Sequence, residues 1–247
     1  LCRTSEGVYM KSYTIHLIRH GLTKGNTEGR YIGRTDLPLS QEGAAALAKL
    51  RSEGEYPKAA LYVSSPLKRC TQTLKLLYPG ENAVIADGFS ECDFGDWEGK
   101  TAAEIAACDE NFGKWASGVG EPVTPPGGES GAQFMYRVCS SFEKLVEGML
   151  RSGTQSAVVV THGGVIMSIL SAYGLPKADF YDWMAADGCG YSMRITPGLW
   201  MRSMVAEVYG EVPRGLCSSG YEGKAAVDIA RKAAADAFGK NKKGKQD

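Results

Sequence analysis

Two of the three histidines in this chain, His20 and His162, each stand before a glycine where an apolar run stops. Ile15 to Ile18 runs into Arg19-His20-Gly21, and Ala157-Val158-Val159-Val160-Thr161 runs into His162-Gly163-Gly164. Both runs read as buried strands, and in open α/β sheets ligands collect beyond the carboxyl ends of strands. A lone histidine at such an end is usually structural. Two at equivalent topological positions, one beside an arginine, point to a shared site. The third, His16, lies within the first strand, where a hydrogen-bonded core or edge role is expected. Arg69 falls one turn into a helix opening at Ser65-Pro66, near exposed backbone N–H groups; the competing reading is an ordinary surface arginine. Arg19, Arg69, His20, His162 and the amide of Asn26 can together surround a tetrahedral dianion, because planar guanidinium forks match phosphate oxygens.

Chemistry on a phosphate monoester needs a nucleophile, charge stabilisation and an acid for the leaving oxygen. No acidic cluster follows these strand ends to hold magnesium, so protein cations replace a metal and no cofactor is expected. A neutral imidazole nitrogen serves as nucleophile near neutral pH. For the acid, Glu91 stands out within Phe89-Ser90-Glu91-Cys92-Asp93-Phe94-Gly95-Asp96-Trp97-Glu98-Gly99. On composition alone the alternative stays open that Glu91, Asp93, Asp96 and Glu98 form a solvated acidic loop.

These residues require a scaffold of alternating strands and helices. After the first strand comes a polar loop, Gly29 to Pro38, offering Arg30, Tyr31, Arg34, Thr35 and Asp36 to a ligand. Ser40 opens a helix with Ala44, Leu47, Ala48 and Leu50 on its apolar face. Ala59 to Val63 reads as a second strand, Ser65 as the N-cap of the next helix with Pro66 in its first turn, and Val84-Ile85 as a brief third strand. Thr101 to Ser117 is helical in pattern, and Gly131 to Arg151 is an amphipathic helix beyond a proline and glycine loop. A helix from Val165 to Tyr173 follows the Ala157 strand. Tyr191 to Ile195, a Pro197-Gly198 turn and Trp200 to Val208 read as an antiparallel edge hairpin. The expected fold is α/β: a three-layer α/β/α sandwich with a mostly parallel sheet, an antiparallel edge strand and a small helical cap insertion. One catalytic domain spans 10–217, with the cap at about 93–131. Residues 1–9 form an N-terminal extension, with Met10 as the natural start. Residues 218–247 comprise a helix at Gly223 to Phe238, with a Ser219/Glu222 capping box, and a tail carrying Lys240, Lys242, Lys243 and Lys245.

With 28 basic and 28 acidic residues the net charge is zero, which argues against nucleic acid as a partner. No apolar run has the length of a membrane span, and Leu1 to Met10 lacks a signal-peptide core. Cys2, Cys70, Cys92, Cys108, Cys139, Cys189 and Cys217 are odd in number and show no Cys-x-x-Cys spacing. They read as reduced thiols in a cytoplasmic protein. The expected partner is a small phosphorylated metabolite, with oligomeric state left open.

Leu17-Ile18-Arg19-His20-Gly21-x-Thr23-x-x-Asn26 resembles the signature of the histidine phosphatase, or phosphoglycerate mutase-like, superfamily. Later blocks resemble it in the right order: Ser64-Ser65-Pro66-Leu67-x-Arg69-Cys70-x-Gln72-Thr73, Glu91 to Gly99, Pro126-Gly127-Gly128-Glu129-Ser130 and Val160-Thr161-His162-Gly163-Gly164. The resemblance implies that His20 is phosphorylated and then hydrolysed, that Arg19, Asn26, Arg69 and His162 hold the phosphoryl group, and that Glu91 is the proton donor. Thr23, Asn26 and Gly163 are the candidate substrate contacts. Cofactor-dependent mutases resemble Glu-Arg-His-Tyr-Gly at the acid block. The spelling here, with Gly29-Arg30-Tyr31-x-Gly33-x-x-Asp36-x-Pro38-Leu39, resembles instead the bacterial phosphatase branch that includes α-ribazole phosphatase. The expected activity is metal-independent hydrolysis of a small phosphomonoester. Phosphoglycerate mutase-type transfer and a catalytically silent phosphate-binding module are the alternatives.

Overall fold

Tyr13–Arg19 forms β1, in which Tyr13, Ile15, Leu17 and Ile18 are all buried rather than alternating with exposed residues. That pattern belongs to a strand covered on both faces. The computed structural model describes residues 11–117 and 123–217. In chain order the remaining elements are α1 (Lys24–Thr27), α2 (Gln41–Glu53), β2 (Leu61–Ser64), α3 (Lys68–Leu77), β3 (Val84–Ile85), α4 (Ala102–Cys108), α5 (Phe112–Ser117), α6 (Gly131–Ser152), β4 (Ser156–Thr161), α7 (Gly163–Tyr173), β5 (Gly174–Leu175), β6 (Gly190–Ile195), α8 (Pro197–Ser203) and β7 (Ala206–Val212). The strand order is β3-β2-β4-β1-β6-β7-β5. β1, β2, β3 and β4 pair in parallel, and β6 runs antiparallel to both β1 and β7. One face is covered by α6 and α7 through Val138, Phe142, Ile166 and Leu170; the other by α2 and α3 through Leu47, Cys70 and Leu74. The α/β/α sandwich is therefore realised, with the antiparallel pair at one side of the sheet.

Register decides where the site falls. Arg19 pairs with Thr161 and Ser64 with Val160, so β1, β4 and β2 end together. Backbone bonds continue one step past each end, from His20 N–H to the Thr161 carbonyl (2.9 Å) and from Ser65 N–H to the Val160 carbonyl (3.0 Å). Residues 20, 65 and 162 thus emerge side by side. Above this edge, Trp97, Ile105, Phe112 and Ala116 make a separate buried cluster, flanked by Tyr31, Phe94 and Trp115.

Several local expectations are corrected. Pro197-Gly198 opens a helix instead of a turn, since proline suits the first helical position, and Trp200 packs from that helix against Phe142 and Tyr173. The helix expected over Thr101 to Ser117 is two helices, broken where Asp109 turns its carboxylate to the N–H of Asn111 and to the indole of Trp97. Ala48 is exposed, leaving α2 anchored by Gly43 and Leu47. Ser65 does not cap α3: the helix starts at Lys68, whose N–H donates to Asp36 Oδ1 from the 29–38 loop at 2.6 Å. The cysteines are not all reduced, because Cys189 and Cys217 are disulfide-bonded. The cysteine set therefore no longer argues for a reducing compartment. Cys70, Cys92, Cys108 and Cys139 are free thiols. Among the described residues no helix is long and apolar enough to cross a membrane. The readings for residues 1–10, the Ser219/Glu222 cap, the Gly223 to Phe238 helix and the basic tail lie outside the described residues.

Candidate active site

At the aligned strand ends the His20 and His162 rings meet edge to face, with centroids 5.1 Å apart. His20 Nδ1 lies 2.7 Å from its neighbour's carbonyl, Gly21 O. A carbonyl only accepts, so the proton sits on Nδ1 and Nε2 keeps its lone pair. Burial holds the His20 pKa well below the usual 6.5, reinforced by the Arg69 and Arg19 charges. His162, fully buried at the N-cap of α7, accepts from Arg69 Nε at Nδ1 (3.3 Å). Its Nε2 therefore carries the proton and donates to Ser65 Oγ at 2.8 Å. Burial, then His20, Arg69 and Arg19, depress its pKa as well. Both imidazoles are neutral in a positive field.

Arg69 is buried because the fold gives it partners: Nη1 donates to the Thr35 carbonyl (2.9 Å) and Nη2 to the Gly33 carbonyl (2.7 Å). Three of its five N–H groups are thereby used, which locks the fork with donors to spare. The loop that supplies those carbonyls is itself organised by Glu98. Its carboxylate accepts from the N–H groups of Gly33, Arg34 and Thr35 and from the Thr35 hydroxyl. Arg19 donates to the Ala185 carbonyl (2.8 Å), and its buried Nε faces Asp187 Oδ1 at 3.2 Å.

Glu91 reaches the same site from the run after β3. Its carboxyl accepts from its own neighbour, Cys92 N–H (3.0 Å), and from Gly164 N–H at the start of α7 (3.1 Å). A Cβ at Gly164 would stand 2.4 Å from Glu91 Oε1, so glycine here leaves room for the carboxyl in this position. Burial raises the Glu91 pKa, while those two N–H groups, Arg69 and Arg19 pull it down. The carboxyl is thus held nearer to its protonated form than an exposed glutamate.

The other expected contacts divide. Gly163 starts α7 beside Arg19, and a Cβ there would meet Arg19 Nε at 3.6 Å. Thr23 is completely buried and occupied locally: it caps α1, its hydroxyl donating to Asn26 Oδ1 (2.7 Å) and accepting from Asn26 N–H. Its hydroxyl thereby fixes the Asn26 amide oxygen. His16, as expected, is a core histidine bonded to Ser192 Oγ at 2.7 Å.

Sequence reasoning overlooked the partners: Ser65 for His162, Asp187 for Arg19, Glu98 for the Arg69 loop, and Glu129 and Arg137 behind Glu91. Glu98 and Glu129 sit inside the family-like blocks, and Ser65 reads locally as a helix cap. Arg137 carries no local signal beyond its place on an amphipathic helix. Among the described residues no group of three or more His, Cys, Asp or Glu is placed to hold a metal ion.

Residues 15–206, which hold this sandwich and the site at its strand ends, match the model of the histidine phosphatase superfamily (branch 1). The chain belongs to that superfamily. It is 26% identical over 187 residues to adenosylcobalamin/alpha-ribazole phosphatase of Salmonella typhimurium, covering 74% of this chain and 90% of that protein. It is 32% identical over 165 residues to 2,3-bisphosphoglycerate-dependent phosphoglycerate mutase 2 of Gloeobacter violaceus, covering 62% of this chain and 72% of that one. Among solved structures, the alpha-ribazole phosphatase from Shigella flexneri superposes with a TM-score of 0.66 at 25% identity, over 79% of this chain and 94% of that one.

Proposed function

We propose that the chain is a phosphatase that hydrolyses a small phosphomonoester through phosphohistidine at His20. The observation that carries this reading is the His20 tautomer: Nδ1 is bound to Gly21 O, so the unprotonated Nε2 is the nucleophile, set among Arg19, Arg69 and His162. In the first half-reaction Nε2 attacks phosphorus in line, the ester P–O bond breaks and Glu91 gives its proton to the departing alcohol. In the second, Glu91 takes a proton from water, which attacks phosphorus, breaks the P–N bond and releases inorganic phosphate. The two guanidiniums, beside the neutral His162, balance the charge that builds on the equatorial oxygens, and such donors are each worth about 3 kcal/mol in a transition state. The elevated Glu91 pKa supports the acid role. Substrate identity resides in the leaving alcohol, for which α-ribazole phosphate belongs in the first panel because of the Salmonella and Shigella relatives.

His20→Ala should remove both turnover and acid-labile phosphate labelling. Labelling that survives in the variant would overturn the assignment. A second reading, phosphoryl transfer to another hydroxyl as in a phosphoglycerate mutase, is favoured by the Gloeobacter relative. Supplying 3-phosphoglycerate with 2,3-bisphosphoglycerate separates the two, since a mutase accumulates the isomer and a phosphatase free phosphate.

A further inference from the structure

The backbone on either side of Glu91 is held by one guanidinium. Arg137 projects from α6 and uses all five of its N–H groups. Nε and Nη2 grip the Glu129 carboxylate at 2.9 and 2.7 Å. Nη1 donates to the carbonyls of Gly88 (3.1 Å) and Ser90 (2.9 Å), and Nη2 to that of Glu91 itself (3.3 Å). Glu129 closes the circuit by accepting from Asp93 N–H at 3.4 Å through Oε2, while its own N–H donates to the Asp93 carbonyl at 2.8 Å. Gly88 lets the segment lie against α6, since a Cβ there would stand 1.7 Å from Ser141 Oγ. Among the described residues the Glu91 side chain has two hydrogen bonds: one comes from its neighbour Cys92 and moves with the segment, and only the one from Gly164 N–H ties the carboxyl to another element. The carboxyl's place therefore depends on where its backbone is held.

We infer that Arg137 and Glu129 are positioning residues for the proton donor, setting the reach of Glu91 toward the leaving oxygen without touching substrate. This rests on the reading of Glu91 as the acid. A fork is required rather than a mere cation, because five acceptors are arranged around one planar group, and lysine offers three donors on a single nitrogen. The cap-side alternative, a tie that merely stabilises the fold, makes a different kinetic prediction. Proton donation matters for an alkyl leaving group, whose alkoxide is a poor one, and little for p-nitrophenolate, which departs unprotonated.

The test is kcat/KM for an alkyl phosphate and for p-nitrophenyl phosphate in wild type, Glu91→Gln, Arg137→Lys and Glu129→Gln, with melting curves for each. Arg137→Lys and Glu129→Gln are expected to lower the alkyl value by about tenfold or more while changing the aryl value much less, in the pattern of Glu91→Gln. Equal losses on both substrates, or a lower melting temperature with no kinetic selectivity, would overturn the positioning role while leaving Glu91 as the acid if Glu91→Gln keeps its selectivity. Absence of selectivity in Glu91→Gln would instead overturn the acid assignment, and the positioning role with it.

Discussion

Each histidine of this protein is held neutral by its surroundings, but for different ends. His20 and His162 are depressed by burial and by neighbouring cations, which suits a nucleophile and its companion. His16 has no charged neighbour driving its shift: burial alone lowers it to about 4. The consequence for stability has a definite sign. The unfolded chain binds protons at histidine near 6.5 and the folded chain does so only much lower, so the unfolded state gains protons first as the medium is acidified. Stability contributed by keeping His16 neutral is therefore intact above pH 6.5 and is lost between 6.5 and about 4. The thermal midpoint should fall over that window, and His16→Asn, which keeps a polar partner for Ser192 without titrating, should make the fall shallower. A slope unchanged in the variant would place the proton uptake elsewhere.

At the level of elements, the site is assembled by helix starts and by one loop. The N-terminus of α7 receives Glu91, and its second residue, Gly164, must stay small for the carboxyl to dock. If Glu91 is the acid, as proposed, Gly164→Ala should lower kcat/KM for alkyl phosphates by about tenfold or more by displacing that carboxyl, with the circular dichroism spectrum unchanged. The α3 start works differently, for Asp36 arrives from the 29–38 loop to cap it while Thr35 and Gly33 hold Arg69. Loop and helix therefore brace the arginine from two sides. The strands and the longer helices were legible in the sequence because their apolar periodicity is strong. The Ser65 cap was misread because local rules favour serine before proline, and the competing bond to His162 comes from 97 residues away.

Across the whole molecule, the parallel half of the sheet brings chemistry to one edge, and the later strands are stapled by a covalent bond. Cys189 leads into β6 and its carbonyl accepts from Arg19 N–H at 2.8 Å, while Cys217 lies beyond β7. Closing a loop of 28 residues restricts the unfolded chain by about 3 to 4 kcal/mol in the entropic account. Denaturant titration with and without dithiothreitol should show a loss of that order, with two extra thiols counted after reduction. Unfolding curves that coincide would show that the bond does not stabilise the fold.

The order of amino acids by itself determined the reagents: two histidines before glycines at the ends of apolar runs, arginines near them, and an acidic, glycine-rich run. Those features are contiguous, and strand ends are written in local periodicity, so they can be read without coordinates. Only the tertiary structure decided which nitrogen of His20 is free, that Thr23 serves Asn26, that Asp36 rather than Ser65 caps α3, that Cys189 pairs with Cys217, and that Arg137 stands behind Glu91. Tautomers, caps and ion pairs are settled by whichever partner the folded backbone brings within about 3 Å, whether that partner is the next residue, as for His20, or tens of residues away, as for Asp36 and Lys68.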